Sequence, residues 1–327
     1  MSWTFDPSTR LRVCLAVTLA LVWGCESGFP SEGPNSAPIQ WTSVDSLNET
    51  LPSGVQVLAG RNDTIPLRAW AVRVQNPGQT PVEVLRSDEP DGVEPVSRLV
   101  AQARACVAVN GGYYDPNTDP IRPAGLLVIA GTLNVPPTDT IRREGFAFPV
   151  ARGAFGLRAD GTGDVAWTTH HRDTLLQWAA PPAHTPGTVA SMPPRLKARP
   201  WAVVDAVGAG PVLVAAGTTA VTTNAEVFFG SGIPGTHPRT AAGITGDGAL
   251  LFVVVDGRQA ASRGATLNDL ARLMRDLDAV EAVNLDGGGS STLVVQGRLV
   301  NRPEGGRQER EVATAIAVRC STTDDAS

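Results

Sequence analysis

Ala282-Val283-Asn284-Leu285-Asp286-Gly287-Gly288-Gly289, together with the run from Thr266 to Leu277 that precedes it, decides how the chain is organised. In that run Leu267, Leu270, Ala271, Met274 and Leu277 recur at helical spacing, Thr266 stands at the capping position, and Asp269 lies where a carboxylate favours a helix N-terminus. A short apolar strand follows, then Asn and a glycine cluster. The same order occurs earlier: after Pro95, residues Val96, Leu99, Val100 and Ala103 share one face, and Cys106-Val107-Ala108-Val109 leads into Asn110-Gly111-Gly112. The echo fits two related substructures facing one site, or two similar turns that arose independently.

Around these units, Ala130-Gly131, Asp160-Gly161, Asp247-Gly248 and Gln296-Gly297 each separate apolar runs, the pattern of tight hairpin turns. Val55 to Ala59 and Leu67 to Val74 read as the first strands of the domain, the second with a period near two. The 34 Gly and 26 Pro against 2 Tyr and 8 Phe imply many turns and an aliphatic core, which favours β structure. The expected fold is therefore α+β: a mixed, mostly antiparallel sheet with hairpins and a few flanking helices, in a single catalytic domain over residues 51–320 with a tail at 321–327. The segment from Thr162 to Pro200 lacks clear periodicity and reads either as a loop or lid or as an inserted hairpin with long connections.

At the N-terminus, Arg10 and Arg12 precede an apolar run from Val13 to Gly24, too short to span a bilayer but of the length of a signal-peptide core. Cys25 directly follows Leu21-Val22-Trp23-Gly24, which resembles a bacterial lipobox, with Trp23 bulky where a small residue is usual. Residues 1–25 are expected to be a signal peptide with lipobox, Cys25 the lipidated residue, and 26–50 a flexible tether. That makes the protein exported and lipid-anchored to the cell envelope, on the periplasmic side or at the outer membrane, with the anchor its only membrane contact. A signal cleaved without lipidation and an uncleaved, buried apolar helix are the alternatives. Cys106 and Cys320 remain in the mature domain, where an exported compartment lets them pair; two buried free thiols are the other reading.

A net charge of -5 leaves no basic stripe, so nucleic acid is not an expected partner, and an anionic ligand needs a local basic site. The densest chemical candidate is Asn284-Leu285-Asp286-Gly287-Gly288-Gly289-Ser290: the glycines let backbone approach a ligand and turn N–H groups inward as a nest, beside the Asp286 carboxylate. Arg239, in His237-Pro238-Arg239-Thr240-Ala241, offers a planar fork to phosphate oxygens, whereas His237 reads as structural. Val253-Val254-Val255 ends in Asp256-Gly257-Arg258, an end-of-strand position where sites often lie.

Asn110-Gly111-Gly112-Tyr113-Tyr114, Gly210-Pro211-Val212-Leu213, the His237 to Ala241 motif, Asp256-Gly257-Arg258, Asn284 to Ser291, and Glu309-Arg310-Glu311-Val312 occur in that order. This ordered set, over roughly residues 100 to 318, resembles the phosphodiester glycosidase family. The resemblance implies a hydrolase that breaks the bond between a sugar's anomeric carbon and a phosphodiester oxygen, with a phosphodiester-linked sugar or glycan as its partner. On that reading Asp286 and Asp256 divide the carboxylate work of a glycosidase. Arg239 with Arg310 neutralises the phosphodiester, and Asn110, Asn284, Gly287, Gly288, Gly289 and Ser290 complete the substrate site. The cofactor stays open; a divalent cation such as calcium or magnesium among Asp256, Asp286 and Asn110 is one arrangement. Two other classes stay open as well. A metal-dependent phosphoesterase would use the same carboxylates around an ion, although neither His-x-His nor His-Glu-x-x-His occurs. A non-catalytic module binding anionic envelope glycans would keep Arg239 and the nest without needing paired carboxylates.

Overall fold

The computed structural model describes residues 39–306 and 308–320; the expected signal peptide, the lipobox with Cys25 and the 321–327 tail lie outside the described residues. Three sheets, antiparallel at every pairing, carry the fold. The first runs, in spatial order, Gln40–Ser43, Val55–Asn62, Leu67–Val74, Leu250–Val255, Arg239–Thr245, Ala279–Asn284, Val212–Ala215 and Thr218–Thr219. The second is Arg199–Pro200, Thr174–Trp178, Gly163–His171, Arg152–Leu157, Asp205–Gly208, Leu127–Ile129 and Thr132–Val135. The third is Arg298–Leu299, Leu293–Val295, Ala105–Asn110, Thr314–Arg319 and Val82–Arg86.

The turn chemistry explains the antiparallel order. Gln296-Gly297 has φ of 49° and 71°, and Ala130-Gly131 has 47° and 76°. Two successive left-handed residues make the turn whose twist matches that of the strands it joins. Buried side chains from all three sheets, among them Val72, Phe252 and Val283, Leu127 and Phe155, and Val109 and Ile316, meet in one core. The sheets thus close on one another by apolar burial, the dominant favourable term in folding.

Among the described residues two helices longer than a turn each cover one sheet, and the fold is mainly β rather than a balanced α+β. Val96–Ala103 packs Val96, Leu99 and Val100 against Ala108, Val294 and Ala317. Leu267–Asp276 packs Leu270, Ala271 and Met274 against Val214, Ala241 and Ala282. Its N-terminus is closed by a reciprocal cap: the Asp269 N–H donates to Thr266 Oγ1 at 3.1 Å, and the Thr266 N–H donates to Asp269 Oδ2 at 3.1 Å.

Part of the stretch expected to be tether is folded. Gln40–Ser43 pairs with Val55–Asn62, Asp45–Asn48 forms a helical turn, and Trp41 packs on the apolar layer beneath. Between residues 162 and 200 the chain forms a hairpin, Gly163–His171 with Thr174–Trp178, followed by a long irregular connection. Cys106 and Cys320 form a disulfide with Cα atoms 5.6 Å apart, joining the Ala105–Asn110 strand to the end of its neighbour Thr314–Arg319.

Candidate active site

Two strand ends from different sheets meet at the glycines. Ala105–Asn110 and Ala279–Asn284 each end on Asn, and the Asp286 N–H donates to Gly111 O at 3.2 Å across the junction. Asn110 is fully buried, and its side chain is completely used: Nδ2 donates to Asp286 O at 2.8 Å and Gly111 O at 3.2 Å, while Oδ1 accepts from Thr240 Oγ1 at 2.7 Å and the Thr292 N–H at 3.1 Å. The Asn284 amide nitrogen faces the Tyr113 hydroxyl, Gly210 O and Leu285 O at 2.7, 3.0 and 2.8 Å. Asn110 thus rivets chain segments together with every polar atom used, whereas the Asn284 Nδ2 is held by the fold and its buried Oδ1 has no hydrogen-bond partner among the described residues.

Asp286 is half-buried and lines a cleft of about 270 Å³ with Tyr113, His237, Arg239, Arg258 and Arg310. Its Oδ1 accepts from the Gly287 N–H at 2.9 Å. Burial pushes its carboxyl up to about 6, against the opposing pull of the Ser290 hydroxyl, the Gly287 N–H and the Arg310 charge. Ser290 itself is fully buried behind the carboxylate.

The glycine run serves close approach more than anion binding. The Gly287 N–H is committed to Asp286 and the Gly288 N–H donates to Pro238 O at 2.9 Å, so these two do not form the expected phosphate nest. At Gly288 the φ of 62° favours glycine, with Arg258 at ordinary contact distance from where a Cβ would sit, and at Gly289 a Cβ would collide with the Arg310 guanidinium. Glycine at 289 lets the Arg310 guanidinium lie against the backbone.

Arg239 also departs from expectation. It is only 2% exposed. Its Nε donates to Ala265 O at 3.0 Å, and Nη2 donates to Ile233 O at 2.8 Å and to Gly235 O. Burial draws its pKa down to about 10. The planar fork is thus committed to carbonyls of the 233–235 loop and of Ala265, while Arg239 also lines the cleft. His237, read as structural, has Nε2 at 2.7 Å from Gly232 O and Nδ1 at 3.2 Å from Arg258 Nη2. A carbonyl can only accept and a guanidinium can only donate, so in these contacts Nε2 donates and Nδ1 accepts. The solvent-exposed cations of the cleft are Arg258 and Arg310, which both approach Glu304.

Asp256 is not among the residues lining this cleft. It is buried, and its Oδ1 accepts from Asn301 Nδ2 at 3.0 Å and the Arg302 N–H at 2.8 Å. Asn301 in turn donates to Ser291 O at 2.9 Å and accepts from the Leu293 N–H at 2.8 Å. Burial pushes the Asp256 carboxyl up to about 6. Asp256, expected to share the catalysis with Asp286, thus lies off the lining of this cleft and ties the end of Leu250–Val255 to the chain that carries Glu304. Nor do Asp256, Asp286 and Asn110 make a cation site, since Asn110 Oδ1 already has two donors. Among the described residues no group of three or more His, Cys, Asp or Glu is placed to hold a metal ion.

Tyr113, Arg258 and Glu304 stand at the cleft without a decisive signal in the sequence. Tyr113 and Arg258 belong to the Asn110 to Tyr114 and Asp256 to Arg258 motifs; Tyr113 donates its hydroxyl to Gly210 O at 2.8 Å, and burial raises its pKa. Glu304 carried no local signal. Deeper still, the buried Glu226 carboxylate accepts from the N–H groups of Gly153 and Val212, from Thr222 Oγ1 and from Trp167 Nε1, a convergence no spacing announces.

A family model described as phosphodiester glycosidase matches residues 103–319. The N-acetylglucosamine-1-phosphodiester alpha-N-acetylglucosaminidase of Mus musculus is 39% identical over 95 residues, 26% of this chain and 18% of that protein. The SPbeta prophage-derived uncharacterized protein YomE of Bacillus subtilis is 40% identical over 78 residues, 24% of this chain and 12% of that protein. The match thus spans under a fifth of the length of either relative. Among solved structures, the zebrafish N-acetylglucosamine-1-phosphodiester alpha-N-acetylglucosaminidase catalytic domain auto-inhibited by pro-peptide superposes with a TM-score of 0.57 at 22% identity, covering 88% of this chain and 86% of that one. A hypothetical protein from Synechocystis does so at 0.58 and 15% identity, covering 88% and 64%. At these identities the likeness of structure speaks for the fold alone.

Proposed function

The chain belongs to the phosphodiester glycosidase family, and on that footing we propose that it hydrolyses the bond between a sugar's anomeric carbon and a phosphodiester oxygen. The observation that carries this reading is the placement of the Asp286 carboxylate in a cleft with two solvent-exposed guanidinium groups, Arg258 and Arg310, whose present partner is the surface carboxylate of Glu304. Breaking the C1–O bond builds positive charge on the sugar ring, which a carboxylate facing C1 stabilises as nucleophile or as base toward water. The phosphate oxygen leaves with the bonding electron pair. Because the second ionisation of a phosphomonoester lies near pKa ~6, that oxygen needs little help from a proton donor. Cationic guanidinium groups take up the developing charge instead. One carboxylate then suffices, and Asp256 acts as a positioning residue. The named relatives make N-acetylglucosamine linked through a phosphodiester the first substrate to assay.

Hydrolysis in ¹⁸O-labelled water is the test. Label in the sugar supports the reading; label in the phosphate means phosphorus–oxygen cleavage and a phosphoesterase; a failure to turn over any phosphodiester-linked sugar leaves a binding module. Asp286→Asn, which keeps size and loses charge, is expected to lower kcat by about 10³ or more while leaving the fold intact. In the wild type, kcat/KM rises with pH through about 6 as Asp286 ionises. Export and lipid attachment at Cys25 remain part of the proposal, on the sequence motif alone.

A further inference from the structure

Arg258 and Arg310 flank Gly288 and Gly289, and both direct a nitrogen at the same oxygen, Glu304 Oε1: Arg258 Nη1 in direct contact, Arg310 Nη2 at 3.8 Å. The second nitrogen of Arg258 is held by His237 Nδ1 at 3.2 Å. The Arg258 and Arg310 side chains are each 46% exposed and Glu304 is 39% exposed, so the ion pairs sit in the solvent-facing mouth. The loop carrying Glu304 is fixed at its root. Asn301 and the Arg302 N–H are held by Asp256, Gln259 Nε2 donates to Arg302 O at 2.7 Å, and Gly305 and Gly306 follow directly after Glu304.

We propose that Glu304 is an internal competing anion: its carboxylate occupies, between Arg258 and Arg310, the seat that the phosphate group of a ligand takes. This rests on the reading of the cleft above and adds a regulation to it. A carboxylate and a phosphate present the same pair of oxygens to guanidinium groups. Solvent-exposed ion pairs are weak, so a phosphate that reaches both cations displaces Glu304 at small cost. A neutral ligand has nothing to offer the two cations and leaves Glu304 in place. On the product side, the returning carboxylate competes with the released phosphomonoester and speeds its departure. His237 acts as a positioning residue, holding Arg258 where both anions can meet it.

The test is calorimetric titration of the purified full chain with inorganic phosphate and with methyl phosphate. Wild type, Glu304→Gln, Arg258→Gln, Arg310→Gln and each Arg variant combined with Glu304→Gln are compared. Losing the internal competitor is expected to tighten phosphate binding about two- to fivefold, the range set by an exposed ion pair. The gain should vanish in the Arg258→Gln and Arg310→Gln backgrounds, and N-acetylglucosamine should bind all variants alike. Glu304→Ala serves as the second variant, expected to show the same gain with a melting curve matching the wild type. Unchanged or weaker phosphate binding in a folded Glu304 variant overturns the proposal, as does a gain that persists without Arg258 or Arg310, or a wild type that does not bind phosphate. Hydrolysis with an unaltered binding pattern defeats only the role of Glu304. The expected binding pattern without any hydrolysis defeats only the glycosidase reading.

Discussion

Asp256→Asn separates a structural carboxylate from a reacting one. Asn keeps an oxygen able to accept from Asn301 Nδ2 and the Arg302 N–H, and removes only the charge. The Asp256 carboxyl is raised by burial from 3.8 to about 6. At ~1.36 kcal/mol per unit, holding it ionised in the fold costs about 3 kcal/mol. The folded-state pKa lies above the unfolded one, so the native protein keeps its proton longer. This group's contribution to stability therefore falls as pH rises from about 4 to about 6 and stays low above that window. The variant lacks this fall. In urea unfolding at a series of pH values, the stability of Asp256→Asn minus that of wild type should climb by about 3 kcal/mol from pH ~4 to ~7, while activity at neutral pH stays within a few-fold. Asp286 is raised in the same direction, but it is present in both proteins and cancels in the difference. A flat difference curve would mean that burial does not penalise the ionised form. A folded but inactive variant would return Asp256 to the chemistry.

Arg239→Ala removes the donor to Ile233 O, Gly235 O and Ala265 O, so stability should drop by about 3 kcal/mol, with kcat/KM falling alike on phosphodiester-linked sugars and neutral aryl glycosides; a loss confined to the charged substrate would put its remaining nitrogen on phosphate. Cys106→Ala combined with Cys320→Ala opens a link across 214 residues and should cost about 2–4 kcal/mol in chemical denaturation without altering the pH dependence of turnover. Cys25→Ser should shift the protein from the membrane fraction to the soluble exported fraction; a wild type already soluble there would dismiss the lipobox.

Much of this molecule is legible along the chain because the determinants are local. The Thr266 and Asp269 cap, the helical stripes, and the Gln296-Gly297 and Ala130-Gly131 turns each depend on residues a few positions apart, where capping hydrogen bonds and φ preferences act. The glycine run after Asn284, with Asp286 beside it, is visible for the same reason, and the ordered motifs point to the family. What local reading cannot supply is which polar atoms remain available once the chain has closed. Asn110 is used up by Thr240, Asp286 and Thr292; Asp256 is taken by Asn301 and Arg302; Arg239 is absorbed by a loop carbonyl and by Ala265. Most of these partners lie tens to more than a hundred residues away along the chain. A buried amide, carboxylate or guanidinium must be satisfied inside the fold, so its partners are chosen by how sheets and loops pack rather than by neighbours in sequence. Residue types and their order mark where the chemistry lies, while long-range packing selects the groups left facing the cleft: Asp286 with Arg258 and Arg310, and Glu304 between the two cations.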